Sequence, residues 1–412
     1  MKSVRDSGVL LTILGCVLLP SQTALEAKDA GEHWVGTWAT APMKYVPAPQ
    51  AGPSPDLAGS TLRQIVHVSI GGKRLRVTLS NAFGTTALKL GSVHVALSAG
   101  ASAIKPETDK ALTFNGQTSA SIPAGAPLVS DPVEFALPSL ADLAITMTVD
   151  TVPADITIHS ASHATSYLAK GGAGAGADLS SSTHIEHWYF LSAIDVEAER
   201  SAESVVTLGD SITDGTRSTT DKNQRWPDVL ARRLQANKKT SQVGVLNLGI
   251  GGNRILHDGA GPNALARLDR DVLAQSGVRY LIILEGINDI GNSARAQSRG
   301  EEPVHASDLI AALEQIIARA HAHKVLVYGA TILPFEGAGY FSQAGEADRQ
   351  EVNKWIRSGG KLDGYIDLDA ATRDPQNTSR LAKAADGGDH LHPGDEGYRM
   401  MGDAINLKLF SK

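Results

Sequence analysis

A serine nucleophile needs a base, and four loops of this 412-residue chain carry residues of the required kinds. The first is Gly209-Asp210-Ser211-Ile212-Thr213-Asp214-Gly215, at the end of the apolar run Ser204–Leu208. Gly209 lets the chain turn tightly, and Ser211 then stands at a strand-to-helix junction, as an attacking hydroxyl or merely as a helix cap. The second loop is Asn247-Leu248-Gly249-Ile250-Gly251-Gly252-Asn253, and the third is Glu285-Gly286-Ile287-Asn288-Asp289. The fourth, Asp386-Gly387-Gly388-Asp389-His390-Leu391-His392-Pro393, brings imidazoles and carboxylates just before the last helical stretch. Asp389 lies three residues before His392, where a carboxylate can fix an imidazole tautomer and stabilise the imidazolium formed during attack.

Other chemistries fit less well. The glycines of the second loop lack the G-x-G-x-x-G spacing of a dinucleotide site. His390, His392, Asp386 and Asp389 have no helical H-x-x-x-H frame, and His67, His159, His163, His184 and His187 are scattered at spacings that demand no metal. No metal or organic cofactor is expected. A formal charge of −6 offers neither a basic stripe for nucleic acid nor a polybasic membrane anchor. The single cysteine, Cys16, excludes an intramolecular disulfide framework and a cysteine-based zinc cluster.

The loops are spaced by elements suited to hold them. Ser204–Leu208, Val243–Leu248, Tyr280–Leu284, Val325–Ala330 and Gly364–Leu368 are short apolar runs fit for strands buried on both faces. Between them, Ser307 is a natural N-cap for a stripe of Leu309, Ile310, Leu313, Ile316, Ile317 and Ala320. Asp348–Arg357 reads as a further helix, and a last one runs over Gly394–Phe410 with Tyr398, Met401, Ile405 and Leu409 on one side. Such alternation predicts a doubly wound parallel α/β/α sheet, whose chemistry collects at the strands' carboxyl ends. Upstream the texture is β. Leu62–Ile70 and Arg74–Ser80 alternate apolar and polar residues about Gly71-Gly72, the form of a hairpin with one wet face. Val93–Leu97, Leu143–Val149 and Ile156–His159 extend the pattern to a β-sandwich or jelly roll. The expected organisation is a leader over 1–27, a β-sandwich accessory domain over 32–200 and an α/β domain over 203–412.

Together the four loops resemble the blocks of the GDSL, or SGNH, hydrolase family, over about Ser204 to Lys412. Arg225-Trp226-Pro227 with Leu230 and Leu234 resembles the helix that follows the family's serine block. Ile212 replaces the usual leucine, and Gly251 stands where many members have serine. The resemblance implies a flavodoxin-like α/β/α SGNH domain with Ser211 as nucleophile, His392 as its general base and Asp389 behind the histidine. It also implies an oxyanion hole made by the N–H of Ser211, the N–H of Gly252 and the side-chain amide of Asn288. Gly251 competes for the glycine role, although spacing from Asn247 favours Gly252; Asn288 taken alone is also a common turn former. The order Ser…Asp…His is shared with α/β-hydrolases, but the chain has no G-x-S-x-G elbow. The activity so implied is serine ester hydrolysis through an acyl-enzyme.

The segment His33–Ala39 and the L-R-Q…S-N-A-F-G region look like those of secreted two-domain members, several of which act on acylated plant polysaccharides. Short acyl groups, acetyl especially, on a carbohydrate are therefore the expected substrate. The rivals are a lipase-like esterase for longer chains and a carbohydrate-binding protein with an inert hydrolase domain. Trp34, Trp38, Trp188 and Tyr189 either stack on sugar rings or pack in a core. The glycine-rich, aromatic loop Pro334–Phe341 is expected to border the active-site end and shape the acyl or alcohol pocket. Lys2, Arg5, the apolar run Gly8–Leu19, Pro20 and the small Ala24 and Ala27 form a signal-peptide pattern, too short to span a membrane. The mature protein is thus expected to be secreted or periplasmic, without stable membrane insertion. Acylation at Cys16 fits poorly with the apolar Val17-Leu18-Leu19 that follows. Loss of the leader removes the only cysteine and with it a thiol nucleophile.

Overall fold

Five parallel strands order the second half of the chain: β1 (Glu203–Gly209), β2 (Val243–Gly249), β3 (Val278–Leu284), β4 (Leu326–Ala330) and β5 (Gly364–Ile366). The computed structural model describes residues 32–47, 56–172, 174, 176 and 178–411; the expected leader and Cys16 lie outside them. The sheet order is β2-β1-β3-β4-β5, with every neighbouring pair parallel. Val206, Leu208, Leu246, Leu281, Ile282 and Val327 are buried, because helices cover both faces. Leu230, Ile316, Val352 and Met401 from four of those helices join the strands in one hydrophobic cluster. The order reverses between β1 and β3, which opens a crevice at their carboxyl ends. Ser211 begins the helix directly after β1, at that crevice.

The β-rich half consists of antiparallel sheets. A five-stranded sheet contains Trp34–Ala39, Gly72–Ser80 and Leu191–Glu197; an eight-stranded one contains Ser60–His67, Leu88–Gly100, Asp142–Thr151 and Ser166–Lys170. Leu75, Val77 and Ile194 of the first share a core with Leu62, Val93, Ile145 and Met147 of the second, the packing of a sandwich. The expected hairpin does not form. Ser60–His67 pairs with Asp142–Thr151 and Ser166–Lys170, whereas Gly72–Ser80 lies in the other sheet beside Leu191–Glu197. The connection crosses between sheets, held by Val68 N–H to Ala141 O (3.0 Å) and Ser69 N–H to Thr37 O (2.9 Å). At Gly71 a Cβ would come within 2.3 Å of the Leu137 carbonyl oxygen, so only glycine fits the crossing. Alternation marks which residues face a core, and it is silent about the neighbouring strand.

The two halves pack within one unit, His33–Lys412. β2 is an edge strand, and an open edge leaves backbone groups unpaired. The β-rich half covers it: the Val245 N–H donates to Ser69 Oγ (2.9 Å), and Gly36 N–H reaches Ser276 O (2.9 Å), just ahead of β3. Approach is close, since a Cβ at Gly244 would lie 2.2 Å from Gly36 O. Ala39, Ala41 and Met43 belong to the hydrophobic cluster of the α/β half.

Three local expectations also change. The helix expected to be capped by Ser307 spans Ala306–Ala322, with His305 at the cap; the His305 N–H reaches Asp308 Oδ2 at 2.9 Å. The last helix stops at Ala404, because Ile405 turns extended (φ −73°, ψ 121°) with its carbonyl taken by Arg233 at 2.8 Å. Asn406 then caps a separate short turn, Leu407–Phe410. Trp38, Trp188 and Tyr189 are buried in the sandwich, and Trp34 packs under the Arg76 guanidinium at 4.7 Å, so all four aromatics pack rather than present a sugar platform.

Candidate active site

Space, rather than a left-handed backbone, demands the glycine that ends β1. A Cβ at Gly209 would sit 2.2 Å from Thr213 Oγ1 and 2.5 Å from Leu284 O. Asp210 caps the next helix, Ser211–Asp214, by accepting the Ile212 N–H at 2.8 Å. Ser211 is therefore the first helical residue and not the cap, which leaves its side chain for other work. Its hydroxyl donates to His392 Nε2 at 2.8 Å. His392 Nδ1–H donates in turn to Asp389 Oδ2 at 2.9 Å, and Asp389 Oδ1 accepts the N–H of His392 (2.9 Å) and of Leu391 (3.1 Å). Partial burial alone would raise Asp389, but the His392 N–H, the His392 ring and the Leu391 N–H outweigh it. They hold the carboxyl well below the usual carboxylate range, so it stays ionised beside the ring. Arg217, at φ +73°, adds a bond from Nε to the same Oδ2 at 3.1 Å.

The fourth loop's other pair is separate. His390 Nδ1 meets Asp386 Oδ2 at 2.6 Å, and its ring lies against Gly337, where a Cβ would be 2.9 Å away. That contact brings the Pro334–Phe341 loop to the rim of the crevice. Tyr340 of this loop donates to Asn288 Oδ1 at 3.3 Å, while Phe341 packs edge-on to Phe335. Asn288 also donates from Nδ2 to Asn253 O at 2.9 Å, so both ends of its amide are oriented. Asn288 lies in the helix Ile287–Ser293, entered through Gly286 at φ +115°.

The second loop is pinned from several sides. Gly251 spends its N–H on Asp214 Oδ2 at 3.0 Å, whereas among the described residues no acceptor is recorded for the N–H of Gly252. Gly252 sits at φ +76°, a left-handed conformation that favours glycine. Asp289 accepts the N–H of Ile255 (2.8 Å) and Leu256 (3.2 Å). Arg267, fully buried, donates to Asn253 Oδ1 (3.0 Å), Leu248 O (2.6 Å) and Gly209 O (3.0 Å), tying the ends of β1 and β2 to the loop. Burial pushes both Asp210 and Glu285 upward; the charge of Asp210 raises Glu285 further, and those of Asp289 and Asp214 raise Asp210. Glu285 meets Arg267 only at 3.9 Å.

Ser211, Asp389 and His392 thus converge, and Gly252, on the loop after β2, is tied to Asn288, in the helix after β3, through Asn253. The sequence gives no role to Arg217, Arg267 or Asp214, and it gives Tyr340 only a place in the loop expected to shape the pocket. Arg217 and Asp214 lie inside or beside the serine loop, but their partners are distant in sequence and no spacing signals them.

Residues 207–400 match the GDSL-like lipase/acylhydrolase family model. No curated protein matches the chain. Among solved structures, an acetylxylan esterase from Geobacillus stearothermophilus is similar at 23% identity, over 51% of this chain and 94% of that one, with a TM-score of 0.40. A GDSL-like lipase from Bacteroides thetaiotaomicron VPI-5482 is similar at 19% identity, over 52% of this chain and 90% of that one, with a TM-score of 0.38. With the parallel sheet and its serine loop, the family match makes residues 207–400 an SGNH-type esterase domain of the GDSL-like lipase/acylhydrolase kind.

Proposed function

We propose that Ser211 is the nucleophile of this esterase and that the enzyme removes short acyl groups, acetyl above all, from a carbohydrate. The bond from Ser211 Oγ to His392 Nε2 at 2.8 Å, with Asp389 behind the ring, is the observation that carries the mechanism. Ser211 Oγ attacks the ester carbonyl as Nε2 takes its proton, and Asp389 stabilises the imidazolium. The carbonyl oxygen gains the negative charge and meets the N–H of Ser211, the N–H of Gly252 and Nδ2 of Asn288. With the Gly251 N–H already held by Asp214, Gly252 is the glycine left to serve. One such donor is worth about 10²–10³ in rate. Collapse expels the alcohol, which takes the proton from His392 and leaves the acyl-Ser211 ester. Water, deprotonated by His392, attacks that ester and releases the acid and the free hydroxyl.

The acyl length and the alcohol rest on the resemblance of His33–Ala39 and the L-R-Q region to secreted two-domain esterases, and export rests on the leader pattern of residues 1–27. Nitrophenyl esters from acetate to palmitate, together with acetylated xylan, test the substrate reading. An acetate optimum with acetate release from xylan supports it. A palmitate optimum points instead to a lipase-like enzyme.

A further inference from the structure

Asp214 closes the short helix that Ser211 opens, and both of its carboxylate oxygens are engaged. Oδ2 accepts the Gly251 N–H at 3.0 Å, and Oδ1 accepts Nε2–H of His159 at 2.9 Å. His159 lies on the strand Thr157–Ser160 of the β-rich half, and both side chains are almost wholly buried. The second ring nitrogen, Nδ1, faces the carbonyl oxygen of Ala41 at 2.9 Å. A carbonyl only accepts, so Nδ1 donates to Ala41 O and the ring is fixed between that carbonyl and the Asp214 carboxyl group. It stacks on Trp188 at 5.7 Å; Trp188 is held by its Nε1–H to Ile65 O (3.0 Å) and by the edge of Trp38 (5.0 Å). Arg225 and His163 also act on Asp214 electrostatically, but the carboxylate's hydrogen bonds go to His159 and Gly251. Arg225 is committed to Asp228 at 2.7 Å, and burial pushes His163 and His187 down, toward neutral rings.

The next residue after Gly251 is Gly252, at φ +76°. We propose that His159 is a positioning residue: by fixing Asp214 it fixes the Gly251–Gly252 turn, so that the β-rich half holds an oxyanion donor of the hydrolase site. This inference rests on the serine-esterase reading above and gives the β-rich half a part in catalysis. Without its histidine, Asp214 is a buried carboxylate with one oxygen left without a donor, which draws in water or a proton and loosens its grip on Gly251.

The test compares His159→Phe, which keeps an aromatic ring on Trp188 but has no N–H, with Ser69→Ala. The latter severs the Ser69–Val245 bond between the same two halves and leaves Asp214 and Gly251 untouched. In His159→Phe, kcat should fall about 10- to 100-fold with KM unchanged, and an alkyl boronic acid, which mimics the tetrahedral state on Ser211, should bind more weakly by a similar factor. Ser69→Ala should melt lower and keep the wild-type kcat. His159→Gln, whose amide can donate one bond to Asp214, should recover part of the boronate affinity, and it serves if the phenylalanine variant does not fold. A folded His159→Phe protein with wild-type kcat and boronate affinity overturns the proposal, whatever its melting temperature. Amide hydrogen exchange at Gly251, whose N–H Asp214 holds, gives a readout independent of turnover: protection should drop in His159→Phe, and unchanged protection counts against the proposal. If wild type itself has no turnover above Ser211→Ala, the esterase reading fails, and the exchange result still decides whether His159 holds the turn.

Discussion

Two histidine–aspartate pairs of nearly identical length sit in this molecule and are built for opposite tasks. In the α/β half, His392 meets Asp389 at 2.9 Å and turns its other nitrogen to the Ser211 hydroxyl. In the β-rich half, His159 meets Asp214 at the same 2.9 Å and turns its other nitrogen to the Ala41 carbonyl. A hydroxyl both donates and accepts, so His392 can hold or release a proton on Nε2. A carbonyl never donates, so Nδ1 of His159 is committed to Ala41 O and the ring has no hydroxyl to exchange a proton with. The environments match: Asp389 is partly exposed beside the crevice, while His159 and Asp214 are buried between the halves. The partner of the second nitrogen, more than the pairing with a carboxylate, separates a base from a brace.

The sharpest way to break the comparison is Asp389→Asn. An amide cannot hold the charge that forms on His392 and favours the wrong tautomer, so kcat should fall about 10⁴-fold. A loss below tenfold in steady-state ester hydrolysis would mean that Asp389 does not serve the ring. Next in size is Asn288→Ala. It removes one oxyanion donor, so kcat should drop about 10²- to 10³-fold with little change in KM. A change confined to KM would place Asn288 in substrate binding instead.

The smallest effect concerns a third carboxylate. Asp289 braces the far side of the same loop through backbone N–H groups, and burial lifts it to about 6 against the opposing N–H bonds of Ile255 and Leu256 and the charges of Arg254 and His257. A carboxyl raised on folding contributes stability that is full below its unfolded value of 3.8 and is lost as pH rises through about 6. Asp289→Asn has no such titration. The Tm advantage of wild type over the variant should therefore shrink by a few degrees between about pH 4 and pH 7. A pH-independent difference would show that Asp289 is not a buried titrating brace.

The parallel sheet was legible because its strands are uninterrupted apolar runs, which only burial on both faces makes stable. The meeting of Ser211, Asp389 and His392 was legible because each lies in a short block beside a strand end or the final helix. The hairpin expectation failed at Gly71 for a physical reason: alternation sets faces, and the choice of partner depends on contacts such as Ser69 with Thr37 and Val245. The helix end at Ile405 was missed because the apolar period continues through a break imposed by Arg233 and Asn406. His159 was visible only as one of several scattered histidines; its partner Asp214 is 55 residues away, and no local pattern encodes that distance.

The central claim is that Ser211 Oγ becomes acylated. Rapid mixing of the enzyme with nitrophenyl acetate, an acid quench and intact-protein mass measurement tests it directly. The account predicts a burst of nitrophenol near one equivalent of enzyme and a single added acetyl group mapped to Ser211, both absent in Ser211→Ala. Turnover without any acyl-protein species, or an acetyl group on another residue that persists in Ser211→Ala, would contradict it.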